Sequence, residues 1–235
     1  MIPASAFSTC VSTLSPPSGR LARLAAATTG AVAFAITPAA AELRVPRVLD
    51  VPSHPAFIRP PGATELKART GQVIAPLSQL RTEKPGRLQV LLADGRAFRL
   101  GGNALLQLDP DGLNLLGGQI IAWIQPGASR HRPLRIRTRV GTASIQGTTV
   151  FIEDQPEEVR FLSWEGTVEV TTSSGTVFSL SSGDILRATP DGWVGPRRLS
   201  AEEVRQRRQR SILLNGFEAP METLPVIERE LGLTP

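Results

Sequence analysis

The sequence predicts an all-β fold: a sandwich or β-roll of many short strands joined by glycine-containing turns. A proline-rich N-terminal arm precedes it and one or two C-terminal helices follow. Two observations carry this between residues 65 and 195. Turn sequences recur every eight to twelve residues: "ADGRA" at 93–97, "RLGGNA" at 99–104, "DPDGLN" at 109–114, "LLGGQ" at 115–119, "VGT" at 140–142, "QGTT" at 146–149, "WEGT" at 164–167, "SSGT" at 173–176, "SSGD" at 181–184 and "PDGW" at 190–193. Between them stand short alternating runs such as "LQVLL", "IIAWI", "LRIRTRV", "VRFLSW" and "TVEVTT", whose period of two turns one side of each strand toward a core. A third observation is negative, since no long run has the apolar period of a helix. The strand sequences do not repeat in strict register, which favours a rolled or sandwiched sheet over a regular solenoid.

Residues 1–41 read as a secretory signal peptide. They contain no acid, carry Arg20 and Arg23, run through "LAAATTGAVAFAIT", and end on Ala39-Ala40-Ala41, where cleavage is expected. The apolar run of about 13 residues falls short of the roughly 20 that span a bilayer, which favours cleavage over the alternative of a retained N-terminal anchor. The mature chain is then periplasmic or secreted, in a bacterium. Residues 42–64 hold prolines at 46, 52, 55, 60 and 61, which remove backbone donors and keep their neighbours extended. They read as an arm rather than part of a domain. Residues 65–195 form the β domain and 196–235 a helical extension. There Ser200 and Glu203 make a capping box, Glu202 and Glu203 fill the first turn, and arginines 205, 207, 208 and 210 follow toward the negative end of the dipole. Asn215-Gly216 ends that helix, and Pro225 and Gly232 bracket a shorter one over "LPVIEREL".

Composition excludes several chemistries. The single cysteine, Cys10, leaves with the leader, so the mature chain has no disulfide, thiolate metal site or cysteine nucleophile. His54 in the arm and His131 in the basic loop "SRHRP" have no histidine or cysteine at ligand spacing. Asp109, Asp111 and Asn114 resemble the start of a calcium loop, but the twelfth position, which needs a bidentate Glu, is Ile120. A hairpin turn is the better reading. The acids of "EDQPEE" at 153–158 read as a solvated loop, and no glycine-rich phosphate cradle opens a helix. Neither catalysis nor a metal or cofactor is expected. The net charge of +5 falls to +3 once the leader's two arginines are gone. Such a chain points away from nucleic acid and toward another envelope protein, with anionic polysaccharide or peptidoglycan as the second reading. Contact with the membrane is not expected after cleavage.

Candidate contact residues follow from charge and ring chemistry. Arg135, Arg137 and Arg139 occupy alternate positions, which puts three cations on one face of one strand. Trp123, Trp164 and Trp193 stand in a chain without tyrosine and would stack on sugar rings if exposed together; each also lies where tryptophan closes a core. Arg205, Arg207 and Arg208 offer a basic helix face to an anionic partner, against the plainer reading of a solvated helix leaning on the β domain.

From about Leu80 to Asp191 the chain resembles the FecR-type domain, named for the ferric-citrate sensing regulator. The resemblance runs in order through "LQVLLADGRAFRLGGNALLQL", "LNLLGGQIIAWI", "IRTRVGTASIQGTTVFIE" and "LSWEGTVEVTTSSGTVFSLSSGDILRATPDG". It implies an extracytoplasmic, non-enzymatic β domain. In signalling members that domain receives a signal from an outer-membrane transporter and passes it through a membrane helix to a cytoplasmic sigma-factor regulator. This chain departs from that plan, with a leader where the cytoplasmic segment would stand and no internal membrane helix, so a stand-alone exported form is expected. The stretch 135–153 reads as the fold's central hairpin, with Thr138, Gly141, Gly147 and Thr148 in structural roles. Gly166 and Gly183 are read the same way.

Overall fold

The computed structural model describes residues 45–125 and 132–233. The expected leader, Cys10 and His131 lie outside the described residues. Those described form sixteen strands and three short helices. In chain order the strands are β1 (Arg47–Ser53), β2 (Ala56–Arg59), β3 (Leu66–Lys67), β4 (Gln79–Thr82), β5 (Arg87–Leu91), β6 (Arg96–Leu100), β7 (Leu105–Asp109) and β8 (Gly112–Ile124). They continue as β9 (Leu134–Arg137), β10 (Gly141–Ile145), β11 (Thr149–Gln155), β12 (Glu158–Glu165), β13 (Val168–Thr172), β14 (Val177–Leu180), β15 (Asp184–Thr189) and β16 (Gly192–Arg198). Helices α1 (Ala201–Arg210), α2 (Ile212–Asn215) and α3 (Leu224–Glu230) close the chain.

The strands make two sheets that share β8. One runs β1-β5-β6-β8-β11-β12-β15-β16. The other runs β3-β2-β4-β7-β8-β9-β10-β13-β14. Every pairing is antiparallel except β8 with β9. The first half of β8 pairs β7 and β9, and from Gly118 onward it pairs β11 and β6. The bend falls at "GG". Gly118 has φ +88°, and a Cβ there would stand 2.4 Å from both Ala104 Cα and Asn103 O, so only glycine fits. The glycine pair of "LLGGQ" predicts a turn between strands. It is a bend inside one strand, because a glycine that reverses the chain and one that carries it across a corner look alike in sequence.

The same correction applies to the expected central hairpin. Thr138–Val140 does join β9 to β10, but "QGT" at 146–148 carries the chain from one sheet to the other, since β10 and β11 do not pair. After it, the turn at Gly166 and the turn at Ser181–Gly183 also cross between the sheets. The crossings meet. A Cβ on Gly166 would stand 2.6 Å from Thr148 Cγ2, and Gly166 N donates to Ser182 Oγ at 2.8 Å. Thr148 is buried here, while Gly141 abuts Thr171 O and Gly183 lies under Leu231 and Arg198.

Two apolar clusters result. The larger lies between the sheets and includes Phe98, Leu100, Ile120, Ala122, Ile152 and Phe161 facing Leu80, Leu106, Leu113, Ile136, Ile145 and Val170. The smaller lies on the other side of the first sheet. There Ile121, Trp123, Leu162, Trp164 and Ile185 meet Leu199, Val204, Leu213, Leu214, Met221 and Ile227 of the C-terminal segment. That sheet is thus covered on both sides, while the outer face of its partner is open. The proline-rich segment is extended as expected, yet it is not a separate arm. β1 pairs β5 at the edge of the covered sheet, β2 pairs β4, and Val48, Ala56 and Ile58 are in the core. An edge position explains why Pro52 is tolerated in β1, since its missing donor would face outward.

The C-terminal helices form where expected. Ser200 and Glu203 complete the capping box, and Pro225 sits in the first turn of α3. The first helix breaks in two at Ser211, which ends α1 and caps α2.

Candidate functional site

Leu134 and Ile136 face the core, which turns Arg135 and Arg137 outward on the open sheet. Register places Arg135 beside Ser144 and Arg137 beside Thr142, and beyond these stand Glu169 and Thr171. With Asp111 they line a cavity of about 450 Å³. Arg137 holds Asp109 at 2.5 Å, whereas Arg135 has no ion pair among the described residues. Arg139 does not join this face. The strand ends at Arg137, and from the following turn Arg139 reaches β11 instead, its Nε 2.8 Å from Asp154 Oδ1. The three-cation face is therefore a two-cation face. The acids of 153–158 are likewise not a free loop. They flank the β11–β12 turn, where Glu153 and Glu158 hold Arg160, whose pKa rises chiefly through its hydrogen bond to Glu158. Asp109 and Gly112 pair across the β7–β8 turn, so "DPDGLN" is a hairpin. His54 is exposed.

The tryptophans do not gather on an exposed face. Trp123 is fully buried and donates through Nε1 to Glu222 at 2.9 Å. Trp164 is 3% exposed, and its Nε1 has no acceptor among the described residues. Trp193 is half-buried, its ring 5.5 Å from Phe178 and 6.0 Å from Phe161. On α1, Arg205 pairs with Glu202 at 3.0 Å and Arg208 with Glu228 at 2.7 Å. Arg207 and Arg210 have no ion pair among the described residues and share a groove with Trp164.

The sequence reading missed Arg99, Asp50 and Glu222, which fasten the C-terminal segment to the covered sheet. Arg99 is buried and donates to Gln89 Oε1 (2.7 Å), Leu213 O (2.8 Å) and Ala219 O (2.7 Å). Its guanidinium lies 4.4 Å from the Phe217 ring and 5.4 Å from that of Trp123. Burial brings its pKa down to about 10, against the opposing charges of Asp50 and Glu222. Asp50 accepts from the amides of Glu218 and Ala219 at 2.7 and 3.1 Å. The available sign was an arginine inside "RAFRL", paired across strands with Gln89 in "RLQVL". Two polar residues on an otherwise apolar surface mark a face that something else must satisfy.

Two sheets sharing a strand, one covered by a helical segment and one presenting a polar face, define an all-β scaffold. Residues 78–169, from just before β4 into β13, match the family model described as FecR protein. A solved structure of a candidate anti-sigma factor from Parabacteroides distasonis ATCC 8503 is similar in fold, with a TM-score of 0.50 and 17% sequence identity. The match covers 57% of this chain and 65% of that one, so the present chain spans less than two thirds of that protein's length. A second structure described in the same words gives a TM-score of 0.47, 15% identity, and coverage of 56% and 65%. No curated protein matches the chain.

Proposed function

We propose that the chain is a signalling or regulatory module of the bacterial envelope, exported to the periplasm, which binds another protein through its FecR domain and performs no catalysis. The family match over residues 78–169 carries this reading. The likeness in fold to a candidate anti-sigma factor points the same way. The composition of residues 1–41 supports export, and no helix among the described residues is long and apolar enough to cross a membrane. The contact surface is the outer face of the open sheet around Arg135. It is polar, and Arg135, without an ion pair among the described residues, suits an acidic patch on a partner, where complementary charge adds on-rate and specificity. Polysaccharide is not proposed, because the tryptophans offer no exposed stacking plane.

Photo-crosslinking residues at Ser144 and Thr171 of the exported full chain test this in bacterial cells. A discrete protein adduct, lost on Arg135→Glu and absent when the crosslinker stands at Gln206 on α1, is expected. No adduct from the two sheet positions, or adducts to glycan alone, would refute it.

A further inference from the structure

A second site lies on the opposite side of the molecule, between α1 and the covered sheet. Its floor comes from outward-facing residues of β11 and β12, where Phe151 pairs with Leu162 in register and Trp164 follows on the same face. Its wall is α1 and the break at Ser211, with Ile212 at the rim, 49% exposed. The open groove has a volume of about 550 Å³, within the roughly 300–1,000 Å³ of small-molecule sites.

Two carboxylates and two guanidiniums border this groove, but they form no ion pair with one another among the described residues. Glu153 and Glu203 both border it, but each is engaged elsewhere. Glu153 accepts from Gln119 at 2.6 Å and pairs with Arg160, while Glu203 accepts from Ser200 N at 2.8 Å and pairs with Arg197. Arg205 and Arg208 on the same helix have their own carboxylates. Arg207 and Arg210 have none among the described residues, and both border the groove. Arg207 is half-buried, and its pKa is lowered by burial first and by the neighbouring charge of Arg160 second, against the opposing charges of Glu203 and Glu153. A cation held out of water beside another cation is unfavourable unless an anion joins it. The floor holds one more unsatisfied group: the Trp164 Nε1–H is buried without an acceptor among the described residues, whereas the matching group of Trp123 has Glu222. The helix dipole accounts for basic residues at the end of α1. It does not account for an aromatic floor beneath them.

We propose that this groove binds an amphipathic anion, a small molecule with one acidic head on an apolar body. Arg207 and Arg210 take the head, a task for which the guanidinium fork is suited, and Phe151, Leu162, Trp164 and Ile212 take the body. The site is independent of the protein contact proposed on the open sheet.

Titration of the full chain with decanoate and decyl sulfate, below their aggregation thresholds, tests the proposal by calorimetry and tryptophan fluorescence. Saturable one-to-one binding is expected, with decanol and acetate at least tenfold weaker. Arg207→Gln and Arg210→Gln should each weaken decanoate at least tenfold, and Arg205→Gln should leave it unchanged. Neither groove arginine makes a side-chain hydrogen bond or ion pair among the described residues, so both variants should keep the parent's circular dichroism and melting temperature. Equal binding of decanol, unaltered binding in the two groove variants, or binding only of a peptide C-terminus would overturn the proposal. Failure here with the Ser144 and Thr171 adducts intact would leave the protein-contact reading standing.

Discussion

Replacing Arg99 with alanine should release the C-terminal segment without melting the roll. Arg99 lies between the covered sheet and that segment, outside the cluster between the sheets. Its loss strands three acceptors, Gln89 Oε1, Leu213 O and Ala219 O, which now lie at 2.7–2.8 Å. A buried acceptor left unpaired costs about 1–3 kcal/mol; at the low end the three together cost about 3 kcal/mol. The change also removes the cation that faces Asp50 and Glu222 and the side chain that fills the space between Trp123 and Phe217. About 3 kcal/mol is on the order of a hundredfold in an opening equilibrium. Hydrogen exchange resolved along the chain is the assay. Amides of residues 201–230 should exchange on the order of a hundredfold faster, while those of β11 and β12 keep their protection. Arg99→Lys keeps the charge but not the fork and should fall between the two. Equal acceleration in sheet and helices, or no acceleration at all, would refute the claim that Arg99 acts as a local fastening.

Three further outcomes are expected. Gly118→Ala should cost about 2–4 kcal/mol in urea unfolding, from its positive φ and the overlap with Ala104 and Asn103, while Gly117→Ala, which meets nothing within 4 Å, should stay within about 0.5 kcal/mol; equal costs would remove the argument for a corner at Gly118. The Glu203 carboxyl is held down at about 2, first by the Arg197 hydrogen bond and then by the Ser200 amide. A depressed acid favours the folded state above its unfolded pKa of 4.5 and loses that effect as pH falls toward about 2; helical chemical shifts at the start of α1 should therefore decline over that window, and Glu203→Gln, which can still cap Ser200, should flatten the decline. Trp193→Ala should lower stability by about 2–3 kcal/mol, since the ring is half-buried against Phe161 and Phe178, and should not alter retention on an anionic polysaccharide column; weakened retention would restore the glycan reading.

The strands, most turn positions and the helices were legible in the sequence because each rests on a local pattern. Alternation in "LRIR" and "VEVTT" gives β9 and β13 one buried and one open side, as observed. The capping box of α1 needs only Ser200 and Glu203. What was not legible depends on partners distant in sequence. Whether Gly147 closes a hairpin or a sheet crossing is decided by where β11 pairs, with β8 and β12. Arg139 is drawn off its expected face by Asp154, and Arg99 meets residues beyond position 210. The prolines of residues 46–61 did specify extended backbone, but their number concealed the apolar alternation of Val48, Ala56 and Ile58 that places β1 and β2 in the core.

One long-range feature did leave a local trace. A strand with one face open alternates, whereas a strand covered on both faces reads as continuous apolar sequence. The second half of β8 is "IIAWI": Ile120, Ala122 and Ile124 enter the cluster between the sheets, and Ile121 and Trp123 enter the cluster beneath the helices. β12 carries "FLSW" to the same end, with Phe161 on one side and Leu162 and Trp164 on the other. These strands lie side by side with β11 in the covered sheet, and β9, β10 and β13 lie side by side in the open one. Strand texture therefore assigns each sheet its exposure. The open face is left to Arg135 and its polar neighbours. On the covered face, the C-terminal segment must supply both apolar side chains and acceptors for Arg99, and where α1 lifts away from β11 and β12 it leaves the groove that Arg207 and Arg210 border.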